Sequence, residues 1–176
     1  TLHRGSLSLF EAGSSLRAET VTIAAGTTLS GIGTIYNGVG SGIGATGGTT
    51  TVAGTISPGN SPGMLTFDGN LVLLPTTPLN FELGQAYTWG GALNDLVTVT
   101  GNLTLDGRLT VTQTALPGGN FTPGIYRLVN YGGTLVDNTL DIVSPLPNGL
   151  TGRIQTSVPN QVNLVVLGAG VFTQYW

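Results

Sequence analysis

The sequence contains no cysteine, no lysine, one histidine and one methionine, and only 7 % of its 176 residues are charged. Each scarcity excludes something. Without cysteine there is neither a disulfide nor a thiolate metal site, and such a chain can cross a thiol-oxidising compartment unfolded. Five scattered arginines and a formal net charge of −3 cannot form a stripe for a phosphate backbone, which argues against nucleic acid as a partner. The lone histidine, His3, has no carboxylate cluster beside it to complete a metal site. It would also be the sole possible base for serine chemistry, and no Gly-x-Ser-x-Gly elbow is present. Low charge suggests a membrane protein, since soluble domains are about a quarter charged. Yet Thr, Asn and Gly interrupt every apolar stretch well short of the roughly 20 residues of a spanning helix. There is no initiator Met and no leader with a charged and then an apolar region. Thr1 therefore reads as a boundary, with any export signal upstream.

What the sequence does contain is glycine, 29 residues of it, with 9 prolines and 40 % hydrophobic residues. Apolar and polar residues alternate in short runs: Val21–Ile23, Leu65–Phe67, Leu79–Leu83, Val97–Val99, Leu103–Leu105, Leu109–Val111 and Val162–Leu164. Gly, Pro or Asn follows each run within a few residues, and no long helical periodicity appears, so the class is all-β. A loose unit of strand, glycine and strand recurs at 21–35, 51–60 and 97–111. It reads as one coil of a β-solenoid whose inward residues (Val97, Val99, Leu103, Leu105, Leu109, Val111) stack on their equivalents in neighbouring coils. At roughly 20–25 residues per coil, the chain would make about seven or eight coils. Less regular segments are expected around 84–95 and 115–150. Asp68-Gly69 and Asp106-Gly107 leave an alternative open. Asp-Gly between alternating runs is also a hairpin signal, and two hairpins would make an antiparallel β-sandwich.

The segment Gly54-Thr-Ile-Ser-Pro-Gly-Asn-Ser-Pro-Gly-Met-Leu-Thr-Phe67 resembles the passenger-associated repeat of autotransporters (type V secretion). Pro58, Gly59, Asn60, Ser61, Pro62 and Gly63 form its core motif. Residues 26–35, 94–111 and 124–129 are similar to the coils that flank this motif in the family, and residues 171–176 to the start of a truncated further repeat. The first twenty residues match nothing nameable. The resemblance implies a single passenger fragment over 1–176, folded as a right-handed parallel β-helix. It implies a bacterial cell-surface or secreted location and a structural role in display, adhesion or self-association. Coil-by-coil folding would assist export. The implied partners are a host or neighbouring-cell protein or glycan, other copies of the chain, and the protein's own outer-membrane β-barrel, which the sequence does not contain.

Other motifs are weaker. Gly42-Ile-Gly-Ala-Thr-Gly47 fits G-x-G-x-x-G, but Gly48–Val52 continues as a strand rather than a helix, so a structural corner is expected and no cofactor is implied. Asn102-Leu-Thr104 and Asn120-Phe-Thr122 fit the N-glycosylation pattern but read as unmodified strand and loop residues. Asp68, Asp95, Asp106, Asp137 and Asp141 are dispersed and border turns. A polysaccharide-acting β-helix enzyme would need two of these acids within about 5–10 Å. The expectation is therefore no enzyme, no cofactor and no metal. Tyr87 and Trp89, between glycines, either cover the end of the core or offer a stacking surface to a sugar or protein. In the sandwich alternative they would serve a carbohydrate-binding module.

Overall fold

A computed structural model describes residues 1–11, 13–38 and 47–168. The chain winds as a right-handed parallel β-helix, each coil contributing one strand to each of three sheets. Coil 1 holds β1 (Ser6–Leu9), β2 (Ser15–Ala18) and β3 (Val21–Ile23). Coil 2 holds β4 (Thr28–Gly31), β5 (Thr34–Asn37) and β6 (Thr49–Val52), and coil 3 holds β7 (Thr55–Pro58), β8 (Met64–Asp68) and β9 (Asn70–Leu73). Coil 4 carries β10 (Pro78–Leu83), β11 (Leu96–Val99) and β12 (Leu103–Leu105). Coil 5 carries β13 (Arg108–Gln113), β14 (Gly124–Tyr131) and β15 (Leu135–Asp137). A short β16 (Asp141–Ile142) begins a sixth coil on β13. Residues 1–20 thus supply the first two strands of the stack. The G-x-G-x-x-G stretch and residues 171–176 lie almost entirely outside the described residues.

The alternation read from sequence becomes three internal ladders. In the first sheet, Leu7, Leu29, Ile56, Leu79, Leu109 and Ile142 stand one above another in register. In the second, Leu16, Ile35, Phe67, Val99 and Tyr131 do the same. In the third, Val21, Thr50, Leu71, Leu103 and Leu135 are aligned. Thr50 is polar yet fully buried, and its hydroxyl lies 2.7 Å from the side-chain amide of Asn37. The inner coils bury these residues against their neighbours, the arrangement that makes a solenoid stable, while Leu7, Leu16, Leu135 and Ile142 toward the ends of the ladders are half-buried.

Both Asp-Gly pairs are corners of the coil. Asp68-Gly69 passes the chain from the second sheet to the third, and Asp106-Gly107 from the third to the first. Gly69 and Gly107 take φ of +132° and +107°, a backbone region open to glycine. The antiparallel sandwich is excluded because the strands flanking each pair join different sheets. The number of coils differs from the sequence estimate. The first ladder steps by 22, 27, 23, 30 and 33 residues, so five full coils and part of a sixth are formed. Longer loops in coils 4 and 5 take part of the difference, and the antiparallel strands at Thr151–Gln155 and Gln161–Leu167, which add no coil, take more of it. The six stacked strands span about 24 Å. Residues 84–95 hold no strand, as expected. The 115–150 stretch is less irregular than the sequence suggested, because Gly124–Tyr131 forms the longest strand.

Two features complete the frame. At the edge between the second and third sheets, Asn70 Oδ1 accepts the Asn102 N–H (2.8 Å), and Asn102 Oδ1 accepts the Thr134 N–H (2.8 Å) and hydroxyl (3.0 Å). This ladder gives the recurrent Gly-Asn-Leu its meaning: the asparagine caps the backbone of the next coil. Asn102→Ala should cost about 1 kcal/mol, the usual worth of such bonds, measured as a shift in chemical-denaturation midpoint. At the far end, β17 (Thr151–Gln155) and β18 (Gln161–Leu167) form an antiparallel hairpin, and β18 pairs antiparallel with β14. Val162, Leu164 and Val166 of β18 are buried, so the hairpin closes this end of the second sheet.

Candidate functional site

Among the described residues, the edge where the first sheet passes to the second carries the longer loops, at 59–63, 84–95 and 114–123, with 10–11 and 13–14 at the same edge of coil 1. In coil 2 the same edge is only Ile32–Gly33. Of the seven exposed large hydrophobic residues among those described, five lie at or beside this edge: Phe10, Met64, Tyr87, Trp89 and Leu116. The other two, Val136 and Val143, lie elsewhere.

The Pro58–Gly63 motif forms the coil 3 loop and is bonded to coils on both sides. Gly59 N–H donates to Gly31 O (2.8 Å), and Asn60 Nδ2 reaches past the short coil 2 corner to Phe10 O (2.7 Å). Gly59 has φ of +85°, and a Cβ there would lie 2.2 Å from Ser61 O. From coil 4, Asp95 Oδ1 accepts the Gly63 N–H (2.8 Å), while Asp95 Oδ2 accepts the Glu82 N–H (2.7 Å). Asp95 is buried. Desolvation pushes its carboxyl up to about 7, against the pull of the two backbone donors. Its neighbour Asn94 ties down the next loop. Asn94 Oδ1 accepts from the N–H groups of Gly84 (2.9 Å) and Gln85 (3.0 Å), and Nδ2 donates to Gln85 O (2.8 Å) and Thr88 O (2.9 Å).

That loop presents Tyr87 and Trp89, which are 67 % and 47 % exposed. Both rings stand largely in solvent. Tyr87 sits at φ +60°, with its N–H bonded to Ile125 O (2.8 Å). The Arg127 guanidinium lies over the Trp89 ring, 4.6 Å from its centroid. Arg127 Nε donates to Asn163 Oδ1 (2.8 Å) and Nη1 to Asn130 Oδ1 (2.6 Å). Partial burial lowers its pKa from the ordinary arginine value, but the group stays cationic at neutral pH. Sequence reasoning found the two aromatics and missed Arg127. Its neighbours Trp89 and Asn163 are 38 and 36 residues away, so no local pattern marks it.

A polar cleft of about 350 Å³ adjoins the motif, lined among others by Ser57, Asn60, Ser61, Asn80, Glu82 and Thr112. Glu82 points outward, whereas the Asp95 carboxylate is buried and occupied by backbone. The remaining aspartates are spread around the coil. Asp68 accepts from Thr100 Oγ1, Asp106 from the Gly107 N–H, and Asp137 from Thr139 N–H and Thr156 Oγ1. Among the described residues no three acids or histidines group to hold a metal ion. His3 is exposed in coil 1.

The stacked parallel coils agree with the β-helix that the Pro-Gly-Asn-Ser-Pro-Gly resemblance implied. Comparison with known proteins bears directly on it. The chain is 54 % identical over 124 residues, 70 % of its length, to an adhesin, the BmaC autotransporter of Brucella suis biovar 1 (strain 1330). The chain carries autotransporter passenger sequence. It spans about 4 % of that relative's length. No protein-family model matches the chain, so the passenger-associated repeat stands on residues 54–67. A passenger segment of this kind belongs at the bacterial cell surface or outside the cell.

Proposed function

We propose that this passenger segment is a block of rod in a surface adhesin, and that its loop-bearing edge makes the adhesive contact. The observation that carries the reading is that, among the described residues, five of the seven exposed large hydrophobic side chains gather with several longer loops on one edge of a Thr- and Ser-rich helix. Contiguous exposed apolar groups on a soluble surface usually mark an interaction site. The role is mechanical and interfacial rather than enzymatic: stacked coils hold the edge away from the cell, and the edge binds a host or neighbouring-cell surface. Self-association of rods through the same edge is a second use of these loops. Each coil pairs only with its neighbours, which supports folding by addition of coils as the chain emerges through its own outer-membrane β-barrel.

The test uses the full-length adhesin, with residues 85–93 replaced by a Gly-Ser loop of equal length. Surface display is read by protease accessibility and adherence by cell counting. Display at the unaltered level with adherence reduced at least threefold is expected. Unchanged adherence would mean that the segment acts as a spacer.

A further inference from the structure

The geometry points to Tyr87, Trp89 and Arg127 as a binding site for a carboxylated sugar residue, such as a terminal sialic acid or a uronic acid. This rests on the adhesive reading of the loop-bearing edge and gives that edge a ligand class. Three observations converge on it.

The first is a cation without a matching anion among the described residues. Arg127 is half-buried on the outer face of β14, and its described partners are all neutral: Asn163 Oδ1, Asn130 Oδ1 and the Trp89 ring. A guanidinium held in a fixed orientation by two amide oxygens and an indole is pre-arranged to receive a carboxylate. The second is the pair of exposed rings. Arg127 covers part of the indole and leaves Trp89 47 % exposed, and Tyr87, two residues earlier in the same loop, is 67 % exposed. An aromatic face offers apolar area to the C–H face of a pyranose, and the phenol adds a polar tip for its hydroxyls.

The third is rigidity. Exposed aromatics on a slack loop would collapse onto the nearest apolar surface. Here the buried Asn94 side chain makes four hydrogen bonds within the loop, and Tyr87 keeps a left-handed φ through its bond to Ile125 O. Backbone strain of this kind persists where the surroundings hold it and gathers at functional sites. Gly124 leaves the space, since a Cβ there would lie 2.6 Å from Ala86 Cβ and 3.0 Å from the Tyr87 ring.

The surrounding amides suit a saccharide. Asn163 is 2 % exposed, and its Nδ2 bridges Gln155 Oε1 (3.2 Å) and Gln161 Oε1 (3.3 Å). The guanidinium is thus backed by a connected amide network on the face formed by β14, β18 and β17. A platform of two rings and one cation matches a single sugar ring. It is far smaller than the roughly 800 Å² per partner of a stable protein–protein interface.

The test is titration of this chain with 3′-sialyllactose, with hyaluronan hexasaccharide and with neutral lactose, following the Trp89 indole N–H by NMR. At least one charged probe is expected to shift that signal, with at least tenfold higher affinity than lactose and weaker binding as salt rises. Sialyllactose alone would identify a sialic acid, and the hexasaccharide alone a uronic acid. Trp89→Ala, read by titration calorimetry because the reporter indole is gone, should weaken the charged probe at least tenfold. Arg127→Gln should bring it down to the level of lactose, while Arg127→Lys keeps part of the preference. Should Arg127→Gln melt early, Tyr87→Ala lies outside the amide network and should still weaken binding severalfold. Lactose binding as well as the charged probes, or Trp89→Ala binding like the parent chain, overturns the proposal. If neither charged sugar binds while the full-length adhesin still loses adherence on loop replacement, the ligand assignment fails and the adhesive reading stands.

Discussion

Asp95→Ala should destabilise the chain by about 2–6 kcal/mol at acid pH, since it leaves the Gly63 and Glu82 N–H groups without acceptors at about 1–3 kcal/mol each. The loss should be visible as a lower denaturant midpoint, because the two bonds join the motif loop of coil 3 to the strand of coil 4. The effect should depend on pH in a defined direction. The folded carboxyl titrates near 7 and the unfolded one near 3.8, so folding favours the protonated form. That contribution is fully present below about pH 4 and is lost as pH rises through 7, a swing of about 4 kcal/mol. Other carboxylates titrate in both proteins, so the difference between parent and variant isolates Asp95. The destabilisation caused by Asp95→Ala should therefore shrink between pH 5 and pH 8. A difference independent of pH over that range would show that Asp95 is ionised throughout, held so by its two donors.

Ending the chain at Gly149 should abolish the monomer. The β17–β18 hairpin buries Val162, Leu164 and Val166 and occupies the free edge of β14. Loss of those three side chains alone removes about 5–9 kcal/mol of burial, comparable to the whole stability of a domain. It also exposes the longest strand, eight residues with free N–H and C=O groups, to any other chain. Light scattering after size exclusion should then show oligomers or no soluble protein. Leu164→Asp is the milder form: it keeps the backbone pairing but buries an unpaired charge, and should lower the midpoint without the same tendency to associate. A truncated chain that stays monomeric and melts like the parent would mean that coil 5 closes the stack by itself.

Much of the fold was legible because it is written locally. Alternation in Leu79–Leu83 or Leu103–Leu105 states which side chains face inward, and β-pairing between successive coils needs nothing more. The motif at Pro58–Gly63 was legible as a resemblance, but its bonds to Phe10, Gly31 and Asp95 were not, since they reach up to 50 residues away. The Asp-Gly pairs illustrate the limit well. A hairpin and a coil corner both need glycine at positive φ, and the sequence around Asp106-Gly107 serves either. The choice depends on whether β12 and β13 find partners in each other or in the coils above and below. The site shows the same division. Tyr87 and Trp89 were visible as aromatics between glycines, whereas Arg127 looked like one more strand residue.

The sequence by itself therefore determined the class, the inward face of each strand, the glycine corners and the autotransporter resemblance, because these follow from period, φ restriction and short motifs. Tertiary structure alone decided the number of coils, the antiparallel closure by β17 and β18, the buried role of Asp95 and the meeting of Arg127 with Trp89. The physical reason is common to all four. Each depends on which distant segments stack, and stacking is selected by the total burial and hydrogen bonding of the assembled coils, which no short window of sequence contains.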